Sequence, residues 1–422
     1  MRAAPQRVPA SPTRQPEIVR ELRAFQWNGR ATERGLTSVG LARSRPIVVE
    51  TVVNEFWTSK QRAAHSLHEV SYRACFKPQL PRFFIDRFTG PGDVVYDPFM
   101  GRGTTVLEAA LAGRTPAGCD INPLSAMLAQ PRLSPPTSEE VVARLEALDL
   151  SRAASYPTAL EVFYHPGTLG EICALREYLL TRDRDGSIDA IDRWIRMVAV
   201  NRLTGHSPGF FSVYTLPPNQ AASVDAQAKI NARRNQVPPR RDVRTLIATK
   251  TRSLLSDCDS VTRTALLRST QRAALLTGPA HVTPSLASGS VSLVVTSPPF
   301  LDVVNYAADN WLRGWFCGID TAAVEISIHR KVTEWQAAMT YVFHELARVL
   351  RRGGHVAFEV GEVRGGKIKL EEAVLPCGVA SGLEPVLVVI NAQQFTKTAN
   401  CWGIRNNTKG TNTNRIVVFR KR

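Results

Sequence analysis

The sequence predicts an α/β chain built on a doubly wound, mostly parallel sheet, and three observations carry that prediction. Residues 94–120 read in order as strand, glycine loop, helix, strand and acid. The apolar run Val291–Val295 ends in Thr296-Ser297-Pro298-Pro299-Phe300, a stiff strand end of the kind at which such sheets place pockets. Beyond it, strands and helices alternate to the C-terminus.

The chain of 422 residues has room for two or three domains, or for one large domain with an insertion. Its 53 Lys and Arg against 37 Asp and Glu leave a net charge of +16, which favours a polyanionic partner, nucleic acid before any other. No run approaches the length of a membrane span, and no helix shows a concentrated basic face, so a membrane role is not expected. The seven cysteines lie singly, without zinc spacing, and read as free thiols of a reducing, cytoplasmic compartment. His65 and His68 alone are too few ligands, and no metal is expected.

Residues 1–45, rich in arginine with prolines at 5, 9, 12 and 16, read as a disordered basic arm. Residues 46–135 then open the folded part. A short strand from Ile47 precedes a helix over Trp57–Tyr72, a turn at Lys77-Pro78 and a helix over Leu80–Phe88. Gly90-Pro91-Gly92-Asp93 breaks that helix and delivers the chain into the strand Val94–Tyr96.

The strand runs into Asp97-Pro98-Phe99-Met100-Gly101-Arg102-Gly103-Thr104-Thr105, with a helix over Thr105–Ala112. Gly101 and Gly103 let a ligand approach the backbone, and the helix start offers free N–H groups, a combination that suits a nucleoside cofactor. Asp120, after the strand Thr115–Cys119, is placed to bind ribose hydroxyls. Val106 stands where a dinucleotide loop carries its third glycine, which disfavours NAD.

Residues 136–270 form a helical insertion, with helices near 138–154, 167–182 and 186–203 and an aromatic loop over 205–218. Within it Lys229, Arg233, Arg234, Arg240, Arg241 and Arg244 meet only Asp242 in opposition, a run suited to tracking phosphates. Residues 271–422 return to sheet logic. Strands are expected at 273–277, 291–296, 355–360, 386–391 and 415–420, helices at 306–317 and 333–350, and a polar loop at 396–414. At the stiff strand end, the Ser297 oxygen and a proline-flanked carbonyl can each accept an N–H of an exocyclic amino group while Phe300 stacks on the attached base.

Phe99-Met100-Gly101-Arg102-Gly103 and Ser297-Pro298-Pro299-Phe300 together resemble the F-x-G-x-G and [D/N/S]-P-P-[Y/F/W] loops of the S-adenosylmethionine-dependent DNA amino-methyltransferases. The likeness extends to Pro91-Gly92-Asp93, Arg351-Arg352-Gly353-Gly354 and Thr413–Val418, and covers roughly residues 75–130 and 270–422. It implies a Rossmann-like sheet of seven strands, mostly parallel, with a C-terminal antiparallel hairpin, and S-adenosylmethionine as cofactor. Asp97, Pro98, Phe99, Gly101 and Gly103 would line the methionine end, Thr104 and Thr105 the helix start, and Asp120 the ribose. Thr296 would border the cofactor, and Ser297, Pro298, Pro299 and Phe300 would be the catalytic set.

Thr-Ser-Pro-Pro is the form that accompanies cytosine N4 in that family, so the resemblance implies site-specific methylation of cytosine N4 in DNA. Adenine N6, an RNA substrate and a non-catalytic binder that keeps the fold are the alternatives. Cytosine C5 chemistry would need a cysteine nucleophile, and Pro376-Cys377 lies away from both loops. The chain departs from the family where many members carry an acid near the cofactor adenine; here the segment reads Thr277-Gly278-Pro279-Ala280. It also places the cofactor loop first, whereas many cytosine-N4 enzymes place the catalytic loop first.

Overall fold

The computed structural model describes residues 17–41, 44–58, 64–73, 75–151, 155–301, 306–326, 329–363, 368–392 and 413–422. Nine strands form its main sheet: β1 Glu33–Leu41, β2 Ser44–Asn54, β3 Val94–Asp97, β4 Thr115–Asp120, β5 Ala274–Thr277, β6 Val291–Thr296, β7 Leu350–Val360, β8 Leu383–Ala392 and β9 Thr413–Lys421. Their spatial order is β1-β2-β8-β9-β7-β6-β3-β4-β5. β9 runs antiparallel to β7 and β8, β1 runs antiparallel to β2, and every other neighbouring pair is parallel.

Without β1 and β2 this is the expected mostly parallel sheet of seven strands with its antiparallel β8–β9 hairpin. The two added strands correct the expectation of a disordered arm over 1–45. Helix α1, Glu17–Ala24, buries Ile18, Val19 and Leu22 against Phe56, Trp57, Phe84 and Leu387, and Arg23 pairs with Glu50 at 2.5 Å. Arginine and proline content concealed an apolar stripe only two turns long, and a partner surface supplied by distant residues orders it. Residues 1–16 and the loop expected over 396–412 lie outside the described residues. The helix expected over 57–72 is also corrected: among its described residues only Ser66–His68 forms a turn of 3-10 helix.

Strand alternation divides the core between the two faces of the sheet. Leu293, Val295 and Ala357 face α1 and α2 (Gln79–Phe88), while Val294, Val356 and Phe358 face α12 (Val332–Val349) and α13 (Leu370–Ala380). α13 had no signal in the sequence reading, and it buries Cys377 at 1% exposure. A third core joins α3 (Thr104–Leu111) and α4 (Pro123–Leu133) to the insertion helices α5 (Ser138–Ala147), α6 (Pro166–Arg184), α7 (Ala190–Val200), α8 (Val224–Arg234), α9 (Val243–Leu254) and α10 (Ser260–Thr270). α11, Tyr306–Cys317, sends Leu312 and Phe316 into that same core, although the sequence reading grouped it with the C-terminal part. No helix among the described residues is long and apolar enough to cross a membrane.

From β3 the chain winds outward through β4 to β5, then crosses back to β6 and β7 on the other side. The adjacent strands β3 and β6 flank this reversal, where a parallel sheet opens a crevice at its carboxyl ends. Asp97 ends β3 and Thr296 ends β6. The two motif-bearing loops are therefore neighbours despite their separation in sequence.

Candidate active site

A hydroxyl joins the two loops. Thr296 Oγ1 donates to Asp97 Oδ1 at 2.6 Å, and the Phe99 N–H reaches the same oxygen at 3.1 Å. Thr105, at the start of α3, donates to the Val295 carbonyl at 3.0 Å. Asp120 accepts the Gly101 N–H at 2.8 Å and the Asn122 N–H at 2.9 Å, so the acid that ends β4 also shapes the glycine loop.

Gly101 and Gly103 have φ of +50° and +75°, a backbone region that side chains disfavour. A Cβ on Gly103 would stand 2.8 Å from Ala129 Cβ on α4, and neither group is at the end of a flexible chain. We expect Gly103→Ala to cost about 1–3 kcal/mol through backbone strain and overpacking, read as a lowered urea midpoint at unchanged slope.

Asp97 is 1% exposed, and burial pushes its carboxyl up to about 7 even though Thr296, the Phe99 N–H and Thr105 stabilise the charged form. Burial likewise raises Asp120. Neither carboxylate has a cation among the described residues that offsets its burial. The start of α3 is capped by Gly103 without any side-chain hydrogen bond. Two anions and an uncapped helix start thus face one space and call for hydroxyl or ammonium donors from a ligand.

That space is a cavity of about 260 Å³. Asp97, Pro98, Phe99, Gly101, Thr104 and Asp120 line it from the glycine loop, and Ser297 and Pro299 from the end of β6. Gly103, Thr105 and Thr296 are not in its wall; Thr105 and Thr296 are fully buried struts between the loops. Pro298 is buried outside the wall, and Phe300 is half-buried against the cluster containing Trp335 and Met339.

Several lining residues carried no motif. Trp335 of α12, 1% exposed, donates its indole N–H to the Pro299 carbonyl at 2.9 Å and so pins the proline loop. The Tyr72 ring covers Gly101, with 3.6 Å between it and a Cβ placed there. Ile121, Pro279 and Ala280 supply apolar wall where family members often carry an acid. Among the notebook-like signals that a sequence does offer, only an acid inside an apolar strand, Glu359 in β7, stood out in this neighbourhood.

The basic run of the insertion divides in two. Lys229 and Arg233 on α8 are exposed, and the Arg234 guanidinium lies 3.8 Å from the centre of the Tyr214 ring. Arg240 pairs with Glu171, Arg241 donates its backbone N–H to Thr168 at 2.8 Å, and Arg244 donates to the Leu145 carbonyl at the end of α5 at 3.0 Å. These last contacts hold helices together.

Comparison with known proteins follows the same segments. The family model for DNA methylase of the N6/N4 type matches residues 42–130. A type II methyltransferase, M.MjaII of Methanocaldococcus jannaschii, is 36% identical over 76 residues, 18% of this chain and 14% of that protein. Another, M.MvaI of Kocuria varians, is 33% identical over 117 residues, 26% of this chain and 23% of that protein. The matched segments thus span less than a quarter of either relative. Among solved structures, a TehB-like SAM-dependent methyltransferase from Corynebacterium glutamicum aligns over 81% of this chain and 87% of its own, at 9% identity and a TM-score of 0.30.

Proposed function

We propose that this chain, a member of the N6/N4 DNA methylase family, methylates the exocyclic N4 of cytosine in DNA. The observation that carries the reading is the shared cavity: the glycine-loop anions and Ser297 line one space, tied together by the Thr296–Asp97 hydrogen bond. S-adenosylmethionine is the cofactor, and the donor-seeking set of Asp97, Asp120 and the uncapped α3 start fits its amino and ribose groups. When bound it supplies a methyl group on a positively charged sulfur.

The chain's own residues position the target. Ser297 Oγ accepts one N–H of the amino group and turns the nitrogen lone pair toward the methyl donor. The two prolines and the Trp335 hydrogen bond keep that loop from yielding as the base enters. Serine at this position, rather than aspartate or asparagine, favours cytosine over adenine.

The direct test is to incubate the protein with methyl-labelled cofactor and DNA or RNA, digest the polymer and identify the modified nucleoside. Label on N4-methylcytosine is the expected result. Label on adenine would sink the cytosine assignment, and cofactor binding without label in any polymer would indicate a binder.

The basic run makes a separate prediction. Reversing charge at Lys229, Arg233 and Arg234 should reduce the salt dependence of DNA binding by about 0.9 in slope for each phosphate contact removed. Reversal at Arg240 should instead lower stability, because Glu171 loses its partner. A slope unchanged by the α8 substitutions would assign these residues to a solvated face.

A further inference from the structure

Glu359 lies on β7, the strand beside β6. Parallel register pairs Thr296 with Phe358, which brings Ser297 and Glu359 together at the carboxyl ends of the two strands. Glu359 is 6% exposed, accepts the Asn414 side-chain N–H at 3.0 Å, and has the Ser297 hydroxyl against its carboxyl. Its partners are neutral. On the flanking elements the charges are engaged elsewhere: Arg415 of β9 pairs with Glu371 at 2.6 Å, Asp97 of β3 takes the Thr296 hydroxyl, and Arg82 and Arg87 of α2 pair with Asp86 and Glu21.

A buried carboxylate without a cation destabilises a fold, so its position needs another explanation than stability. Glu371 shows the contrast, being 2% exposed and ion-paired to Arg415. The place of Glu359 supplies that explanation. Ser297 has one proton and two lone pairs; a proton committed to Glu359 leaves both lone pairs for an incoming amino group.

We infer that Glu359 is a positioning residue of the proposed transfer, orienting the Ser297 hydroxyl and taking up, through it, the proton that the target nitrogen releases. The inference rests on the methyltransferase reading above. As the nitrogen forms its bond to the methyl carbon, the sulfur keeps the electron pair of the bond that breaks and becomes neutral. The nitrogen's proton passes to Ser297 Oγ as the serine proton passes to the Glu359 carboxylate. Serine ends as it began, glutamate ends protonated and neutral, and solvent later removes its proton. Burial raises the Glu359 carboxyl above its ordinary range, in the direction that suits a proton acceptor.

The test is single-turnover methylation of DNA against pH, for the wild type, Glu359→Gln and Ser297→Ala, with S-adenosylhomocysteine and DNA affinities measured alongside. The wild-type rate should rise with pH on a limb that both variants lose. Glu359→Gln should fall about 10²-fold at the plateau with both affinities within about twofold of wild type. The double variant should lose little more than either single one, because the two residues form one relay.

A limb retained in either variant would overturn the inference, as would losses that multiply in the double variant or a Glu359→Gln defect matched by lost affinity. If Glu359→Gln does not fold, the Ser297→Ala limb decides alone, since that change leaves the glutamate in place. Absence of methyl transfer by the wild type to any nucleic acid would overturn the function itself. Active wild type with unaltered variant profiles would overturn only the role of Glu359.

Discussion

Replacing Ser297 by alanine is expected to lower the methyl-transfer rate by about 10²-fold or more while leaving S-adenosylhomocysteine affinity within about twofold. The hydroxyl lines the cavity from the end of β6, whereas the groups that would hold the cofactor, Asp97, Gly101 and Asp120, reach it from β3 and β4. Removing one acceptor at the reacting nitrogen therefore weakens an interaction made by the target alone. Loop geometry should persist, because Trp335 holds Pro299 and Thr296 holds Asp97, and neither bond involves Ser297. Rate measured by single turnover and affinity by calorimetry separate the two effects. Equal losses in both would contradict the assigned role.

Asp97→Asn is expected to move stability and ligand affinity in opposite directions. The wild-type carboxyl sits near 7 in the folded protein against an ordinary value of 3.8. Between those values the folded protein keeps a proton that the unfolded chain has released. Stability of the ligand-free protein from this group is therefore greatest below about 4, falls as pH rises, and levels off above about 7.

The full difference is on the order of 4 kcal/mol. Asparagine removes it, so the variant should gain stability over the wild type at pH 8 and little at pH 5, read from urea midpoints. Asp120 and Glu359 are raised by burial in the same sense and should leave a residual slope. S-adenosylhomocysteine affinity should fall by about tenfold or more, because a charge-assisted hydrogen bond to the amino group is lost. A variant destabilised at pH 8, or one with wild-type affinity, would show that the buried charge is not kept for the ligand.

Much of this chain was legible as a string of letters because the relevant forces act locally. Gly101 and Gly103 announce a backbone turn that side chains disfavour, and the helix start at Thr104 follows from it. Val291–Thr296 is apolar throughout because both faces of β6 are covered by helices. Strand periodicity, glycine placement and a terminal acid are written within a few residues of one another, so the parallel sheet and its two loops could be read directly.

What tertiary structure decided was every matter that depends on a distant partner. The amphipathic stripe of α1 became a helix because Phe84 and Leu387 cover it, and arginine content alone had suggested disorder. Arg240 and Arg244 looked identical to Arg233 in sequence, yet Glu171 and the end of α5 claim the first two for packing. Trp335 joined the site through one hydrogen bond across 36 residues, and Glu359 through strand register. Charge and motif determine which chemistry a chain can attempt. Burial and pairing, which only the folded arrangement supplies, determine which residues remain available to perform it.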